Sequence, residues 1–240
     1  KCKKLIYAYK NGLLEQTKMP EDSNPKEFDK ENSRIAYFSL PMALNYQRDS
    51  YKLWESALKT WNDKETRDVF DVNIVASMDT NRLREHLMKY KLALQPNKHI
   101  STWKSICKTV ASEFGSFSNL IKNSNNDYLQ LRHIVQVKNK KGFPYLSGPK
   151  IFNYWSLILR EYCKVDLKNS KFIEIALDTH ITQCSVILGI INKDEAEALS
   201  KDKISEKWRN ALKGSSINPI DMHPPLWFWS RNGFLYKLEK

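Results

Sequence analysis

Apolar residues recur three and four positions apart along most of this chain, and strict apolar–polar alternation is rare. That spacing belongs to helices with one buried face rather than to strands. A short first helix is followed by a polar, charged stretch at 20–33, expected to be an exposed connection. Across 34–61 the apolar positions Ile35, Phe38, Leu40, Leu44, Trp54 and Leu58 keep helical spacing, and Pro41 with Asp49-Ser50 divides them into two helices. Further helices are expected at about 67–77, 80–94 and 98–114, the second capped by Asp79-Thr80 and the third stopped by Gly115. A polar loop at 122–127 leads to a short helix at 128–137 and a basic turn at 138–142. Beyond it, Ile151, Tyr154, Trp155, Ile158, Leu159 and Tyr162 make a broad apolar helix face. A polar interruption at 161–171 separates this face from helices at 179–191 and 196–213. The tail at 218–234 holds three prolines and the cluster Trp227-Phe228-Trp229. The expected fold is all-α: one helical lobe at 34–160 and a second built from 1–33 plus 161–240, flanking a cleft.

Charge gives this helical protein a preferred partner. It carries 39 Lys and Arg against 27 Asp and Glu, a net +12. Such a surplus attracts polyanions, nucleic acid foremost; a lysine-rich background on every exposed face is the plainer alternative. No apolar run approaches the roughly 18 residues of a membrane span. The start, Lys1-Cys2-Lys3-Lys4, has no signal-peptide core. No membrane partner is therefore expected, and the location is expected to be cytoplasmic, nucleoid-associated or nuclear rather than secreted. Cys2, Cys107, Cys163 and Cys184 lie far apart without C-x-x-C spacing, and the histidines are equally scattered. Free thiols are expected, with no metal site and no cofactor.

Two segments carry candidate chemistry. The first is Phe143-Pro144-Tyr145-Leu146-Ser147-Gly148-Pro149-Lys150, a tight turn entering a helix. Gly148 is free to take backbone angles closed to other residues, Pro149 suits the first helical position, and exposed amides there suit a phosphate. Lys150 stands in the first helical turn, where the dipole disfavours added positive charge; a nucleophilic lysine needs a free amine. The plainer alternative is a surface lysine on phosphate or water. The second segment is Leu177-Asp178-Thr179-His180-Ile181. Asp178 is either a structural N-cap or a carboxylate that accepts the lysine's proton and stabilises positive charge on a sugar ring.

The order of these residues resembles the helix-hairpin-helix (HhH-GPD) DNA glycosylase superfamily, which includes endonuclease III and the 8-oxoguanine glycosylases. Its leucine-proline-glycine-x-glycine-x-lysine hairpin and the following valine-aspartate-threonine-histidine segment are matched at Gly148, Lys150, Asp178, Thr179 and His180. Leu146 stands where the family's first hairpin glycine would be. Upstream, 44–50 is similar to the family's leucine-serine-x-glutamine-x-threonine-aspartate element, which implies that Gln47 enters DNA beside an everted nucleotide; alternatively it is an ordinary helix-terminal glutamine. Residues 83–114 run like the family's connecting helices, with Lys98 and Lys104 on a DNA-facing side. The resemblance covers roughly 34–191. A separation of 28 between Lys150 and Asp178, with the tryptophan-bearing tail, looks more like the archaeal-type 8-oxoguanine glycosylases.

The resemblance implies a monomer that removes an oxidised, 8-oxoguanine-like base from double-stranded DNA. Lys150 would be the nucleophile and Asp178 its acid–base partner. Because an everted base needs flat or apolar walls, Tyr154, Trp155, Trp227, Trp229 and Phe234 are candidate walls, with His180 beside them. Tyr154 and Trp155 are alternatively helix core, and the tail aromatics a seal on a lobe. The competing functions are a non-catalytic helix-hairpin-helix DNA-binding protein and a glycosidase acting on a modified nucleoside or nucleotide.

Overall fold

The computed structural model describes residues 1–15 and 18–238. Among these the protein is all-α, with thirteen α-helices and no strand. In chain order the helices are α1 Cys2–Lys10, α2 Glu31–Leu44, α3 Ser50–Asn62, α4 Val72–Ser77, α5 Thr80–Lys89, α6 Lys98–Glu113 and α7 Phe117–Asn123. They continue as α8 Tyr128–His133, α9 Pro149–Glu161, α10 Thr179–Leu188, α11 Lys193–Ala198, α12 Lys201–Leu212 and α13 His223–Arg231. Two compact units result: Pro20–Asn169, and Lys1–Met19 with Ser170–Lys240. No described helix is long and apolar enough to cross a membrane.

The larger unit is organised around α2, buried without interruption from Ile35 to Leu44. This burial explains why the expected break at Pro41 does not occur. A proline inside a helix forfeits one hydrogen bond, but continuing the helix keeps Met42, Ala43 and Leu44 in the core. The chain turns instead at 45–49, and the Asp49 side chain accepts the Lys52 N–H to start α3. The aromatic rings of Tyr37, Phe38, Trp54, Trp61 and Phe70 pack edge-on or tilted at 5.2–6.1 Å, apart from a stacked Tyr37–Phe70 pair. Helix α9 lies against α2, where the buried Trp155 indole donates to Ser39 Oγ at 2.9 Å.

Several boundaries differ from those periodicity suggests, each for a local reason. The helix expected at 67–77 is a 3₁₀ turn, Arg67–Phe70, followed by α4, because Asp71 caps α4 by accepting from Asn73 and Ile74. α5 stops at Lys89 because Lys91 takes a left-handed backbone, φ 60°. The polar loop before α8 is shorter than expected, since α7 occupies up to Asn123, and Asn125 and Asn126 make its left-handed turn. A π-helical turn, Ile134–Lys138, prolongs α8.

The stretch at 20–33 is not simply exposed. Pro20, Glu21 and Pro25 are buried, the Tyr37 hydroxyl donates to the Ser23 carbonyl at 3.0 Å, and Phe28 packs on Tyr37 and Trp61. Residues 161–169 also belong with the larger unit: the Tyr162 ring packs on Phe38 at 5.2 Å, and Asp127 pairs with Lys168 in an isolated bridge. These contacts draw both segments away from the second lobe in which the sequence places them.

In the smaller unit α13 packs on α10 and α1. The Trp208 indole donates to Ser185 Oγ at 2.8 Å, which ties α12 to α10. The single helix expected at 196–213 is two, α11 and α12. An Asn192–Glu195 capping box begins the first and the Ser200 hydroxyl caps the second. The proline-rich tail forms a 3₁₀ turn at Pro219–Met222 and then α13, with Pro224 and Pro225 in the first turn where the missing N–H groups cost nothing.

Candidate active site

In the larger unit the turn between α8 and α9 is anchored by two apolar side chains. Phe143 and Leu146 are both fully buried, so Leu146 is a core residue of this turn. The left-handed residue of the segment is Tyr145, φ 63°, not Gly148. Gly148 has φ −65° and ψ 137° and precedes α9 as its N-cap. Its glycine identity answers a close approach: a Cβ there would lie 3.1 Å from the Tyr145 carbonyl oxygen. This corrects the expectation that Gly148 supplies unusual backbone angles. Pro149 fills the first helical position, and Lys150 follows it, exposed, in the first turn of α9.

Two loops of this unit meet at the beginning of α6. The rings of Tyr46 and Tyr145 lie 5.1 Å apart, and Lys98 Nζ stands 4.7 Å from the first centroid and 5.1 Å from the second. Hydrogen bonding to Tyr145 holds the Lys98 ammonium above its ordinary pKa. Gln47 is exposed beside Tyr46 with a left-handed φ of 49°, an unusual conformation for a residue other than glycine. Its loop is braced by Arg48, whose guanidinium donates to the Leu92 carbonyl at 2.6 Å and the Lys91 carbonyl at 3.0 Å. His99 accepts the Leu94 N–H through Nδ1 at 3.1 Å; burial, with Arg48 and Lys98 nearby, pushes its pKa down to about 4. The structure thus joins Gln47 to the Lys150 turn through a tyrosine–lysine–tyrosine stack that helical periodicity does not signal. Both tyrosines flank matched motifs, which was the one available clue.

Tyr154 and Trp155 part company. Trp155 is fully buried and hydrogen-bonded to Ser39, so it is core and not the wall of a base pocket. Tyr154, one turn beyond Lys150, is half-buried and hydrogen-bonds the Glu21 carboxyl. Glu21 is 2% exposed, and burial pushes its pKa up to about 7 against the opposing pull of its own backbone N–H and Tyr154. Its Oε2 is buried without a hydrogen-bond partner. Glu21 is the ionisable group that the sequence did not single out; an acid inside a polar stretch looks solvated until the fold closes over it.

In the smaller unit Asp178 is the N-cap of α10: its Oδ1 accepts the Ile181 N–H at 2.9 Å. His180, the second residue of the helix, has Nδ1 3.0 Å from Ser230 Oγ, and Ser230 in turn donates to Gln183 at 3.1 Å. The Trp227 ring lies 6.1 Å from His180, edge to face, with the Arg231 guanidinium 4.9 Å from its centroid. Asp178, His180 and Trp227 therefore belong to neighbouring parts of one packed pair, α10 and α13. Trp229 and Phe234 are turned elsewhere. They pack edge-on at 4.9 Å, the Trp229 indole donates to the Tyr236 carbonyl at 2.8 Å, and Trp229 lines a cavity of about 290 Å³ with Leu13, Leu14 and Tyr236.

Among the described residues no three His, Cys, Asp or Glu side chains stand together in a way that could hold a metal ion. No protein-family model and no curated protein matches the chain.

Proposed function

We propose that this chain is a base-excision-repair DNA glycosylase with AP lyase activity, removing an oxidised, 8-oxoguanine-like base from duplex DNA. The observation that carries this reading is the placement of Lys150: exposed in the first turn of α9, behind a turn pinned by Phe143 and Leu146, and linked through Tyr145, Lys98 and Tyr46 to the exposed Gln47. A nucleophile on a helix start is held more firmly than one on a free loop. Gln47 is the side chain offered to the space that an everted nucleotide leaves.

In the proposed reaction Lys150 Nζ, as the free amine, bonds to C1′ of the deoxyribose while the C1′–N glycosidic bond breaks. The electron pair leaves with the base, which takes up a proton. Asp178 accepts the proton that the lysine nitrogen loses, and its carboxylate stabilises positive charge at C1′. Opening of the C1′–O4′ bond then gives a protonated imine, with the ring oxygen becoming a hydroxyl. Loss of a C2′ proton expels the 3′ phosphate by breaking C3′–O3′, which cuts the strand. His180 and Trp227, which meet edge to face in the smaller unit, are the candidate walls for the everted base. The base assignment rests on the Lys150–Asp178 separation and the tryptophan-bearing tail, both similar to archaeal-type 8-oxoguanine glycosylases.

Asp178→Asn tests the acid–base role with little structural cost, because asparagine caps helices as well as aspartate does. Single-turnover excision should fall by about 100-fold or more, with duplex affinity changed by less than about threefold. A wild-type rate would reduce Asp178 to a cap. Binding should also weaken with salt at a log–log slope of roughly −4 to −5, for about four to six phosphates contacted. A flat response would count against a DNA substrate, and a steep slope without any excision would favour a protein that only binds DNA.

A further inference from the structure

The positive charge of this chain is concentrated in one interval. Residues 82–150 hold 13 Lys and Arg against three Asp and Glu, a surplus of ten, whereas residues 20–81 hold eight against twelve. The fold gathers much of that surplus along α6. Lys98, Ser101, Ser105, Lys108 and Ser112 recur at helical spacing on one side of it, and none of these five is buried. Two open grooves follow this side and share Thr109. One, of about 490 Å³, is lined by Arg84, Lys104 and Lys108 with Ser101 and Ser105. The other, of about 550 Å³, is lined by Lys138, Lys140 and Lys141, with Glu113 as its carboxylate.

The second groove is a built feature. Gly142 lies so close to α6 that a Cβ would meet Thr109 Oγ1 at 2.3 Å, which seats the basic turn on the helix. The turn follows the π-helical residues Ile134–Lys138, a distortion that recurs at functional sites. Among the described residues none of Arg84, Lys98, Lys104, Lys108, Lys138, Lys140 and Lys141 forms an ion pair. Elsewhere in the unit Arg82, Lys89 and Arg160 each have a carboxylate partner. Lys104 is fixed by donating to the Met78 carbonyl at 2.7 Å and Thr80 Oγ1 at 2.9 Å, and Arg84 by donating to the Pro96 carbonyl at 3.1 Å. Both are cations held in place by neutral acceptors, and Lys104 stands near enough to Asp79 to lower its pKa.

We infer that the α6 grooves are a second binding track for the sugar–phosphate backbone of duplex DNA, running from the Tyr46–Lys98–Tyr145 stack to the Lys138–Lys141 turn. From Lys98 to Ser112 the helix rises about 21 Å, the axial length of about six base pairs at about 3.4 Å each. Serine and threonine hydroxyls between the lysines suit phosphate oxygens and carry no base preference. The track rests on the proposed DNA substrate. It adds a grip outside the Lys150 turn, where Leu146 is a core residue.

The test is the triple substitution Lys108→Glu, Lys140→Glu and Lys141→Glu, with a parallel triple glutamine variant that removes the charge without reversing it. Affinity for an undamaged 20-base-pair duplex at 0.1 M salt should fall at least about tenfold, and the salt slope should shrink by about two to three, near 0.9 for each phosphate no longer neutralised. Single-turnover excision at saturating protein should stay within about twofold, since none of the three touches the reacting sugar. Unchanged affinity and slope in both variants would overturn the track. A stronger loss for single strands than for duplex would also overturn it, assigning the grooves to unpaired nucleic acid. If the wild type binds duplex through these lysines but forms no covalent adduct, the track stands and the glycosylase reading falls. If adducts form and the variants bind like wild type, the reverse holds.

Discussion

Lys150→Gln is expected to abolish borohydride-trapped protein–DNA adducts while leaving duplex binding within about threefold of wild type. Reduction captures only a carbon–nitrogen double bond between protein and sugar, so it reports the identity of the attacking amine rather than the strength of binding. Lys150 is exposed at the second position of α9, where a substitution away from core and cap contacts changes stability by about 0.5 kcal/mol or less. Absence of the adduct would therefore not be a folding effect. One phosphate contact at most disappears with the ammonium, against the four to six expected overall. Trapping at normal yield in the variant would assign the covalent step to another amine, such as the N-terminus or a neighbouring lysine. Melting temperature measured beside trapping separates the two explanations of a negative result.

Glu21→Gln should change the pH dependence of stability more than substitution of any exposed carboxylate. An ordinary glutamate titrates near 4.3, whereas burial raises Glu21 to about 7, with Asp22 beside it adding a smaller push in the same direction. Between those values the folded protein keeps a proton that the unfolded chain has released. Stability is then fully present below about pH 4 and is lost as pH rises through 7. A shift of about 2.5 units corresponds to roughly 3 kcal/mol, or about 6–12 °C in melting temperature for a chain of this size. Glutamine keeps a hydrogen bond to Tyr154 and does not titrate, so the variant should be the more stable form at pH 8 and about equal to wild type at pH 4.5. Melting curves at both values decide the matter, and parallel wild-type and variant profiles would show that Glu21 is not buried as a proton-binding carboxyl. Tyr154 shares α9 with Lys150, so the same pair of measurements on excision rate would show whether this proton also affects the chemistry.

The all-α class was legible because helical spacing of apolar residues survives most local detail. The starts of α5 and α9 were legible from Asp79 and Pro149, since caps and first-turn prolines act within a few residues. What was not legible depends on contacts distant in sequence. Pro41 reads as a helix breaker until the burial of α2 on every side is known. The stretch at 20–33 reads as solvent-exposed because its acids and asparagines hide Pro20, Glu21 and Phe28, which pack onto residues far along the chain. Trp155 and Tyr154 are adjacent on an apolar face, and packing on Phe117 with a bond to the Ser39 hydroxyl, 116 positions away, makes one of them core. Lys98 showed as a cation on a helix face, but its place between Tyr46 and Tyr145 comes from three separate segments. Lys150, Asp178 and Gln47 stood out through the order of short motifs. The residues that brace them stood in no motif.

Borohydride trapping of the unsubstituted protein on a panel of duplexes tests the proposed covalent chemistry most directly. The panel carries 8-oxoguanine, thymine glycol, uracil or an abasic site, beside an undamaged control. The expected result is an adduct on the 8-oxoguanine and abasic duplexes, strongest for these two and absent from undamaged DNA. Absence of an adduct on every duplex, under salt conditions where binding is demonstrated, would contradict a lysine-dependent glycosylase and leave a protein that grips DNA without cutting it.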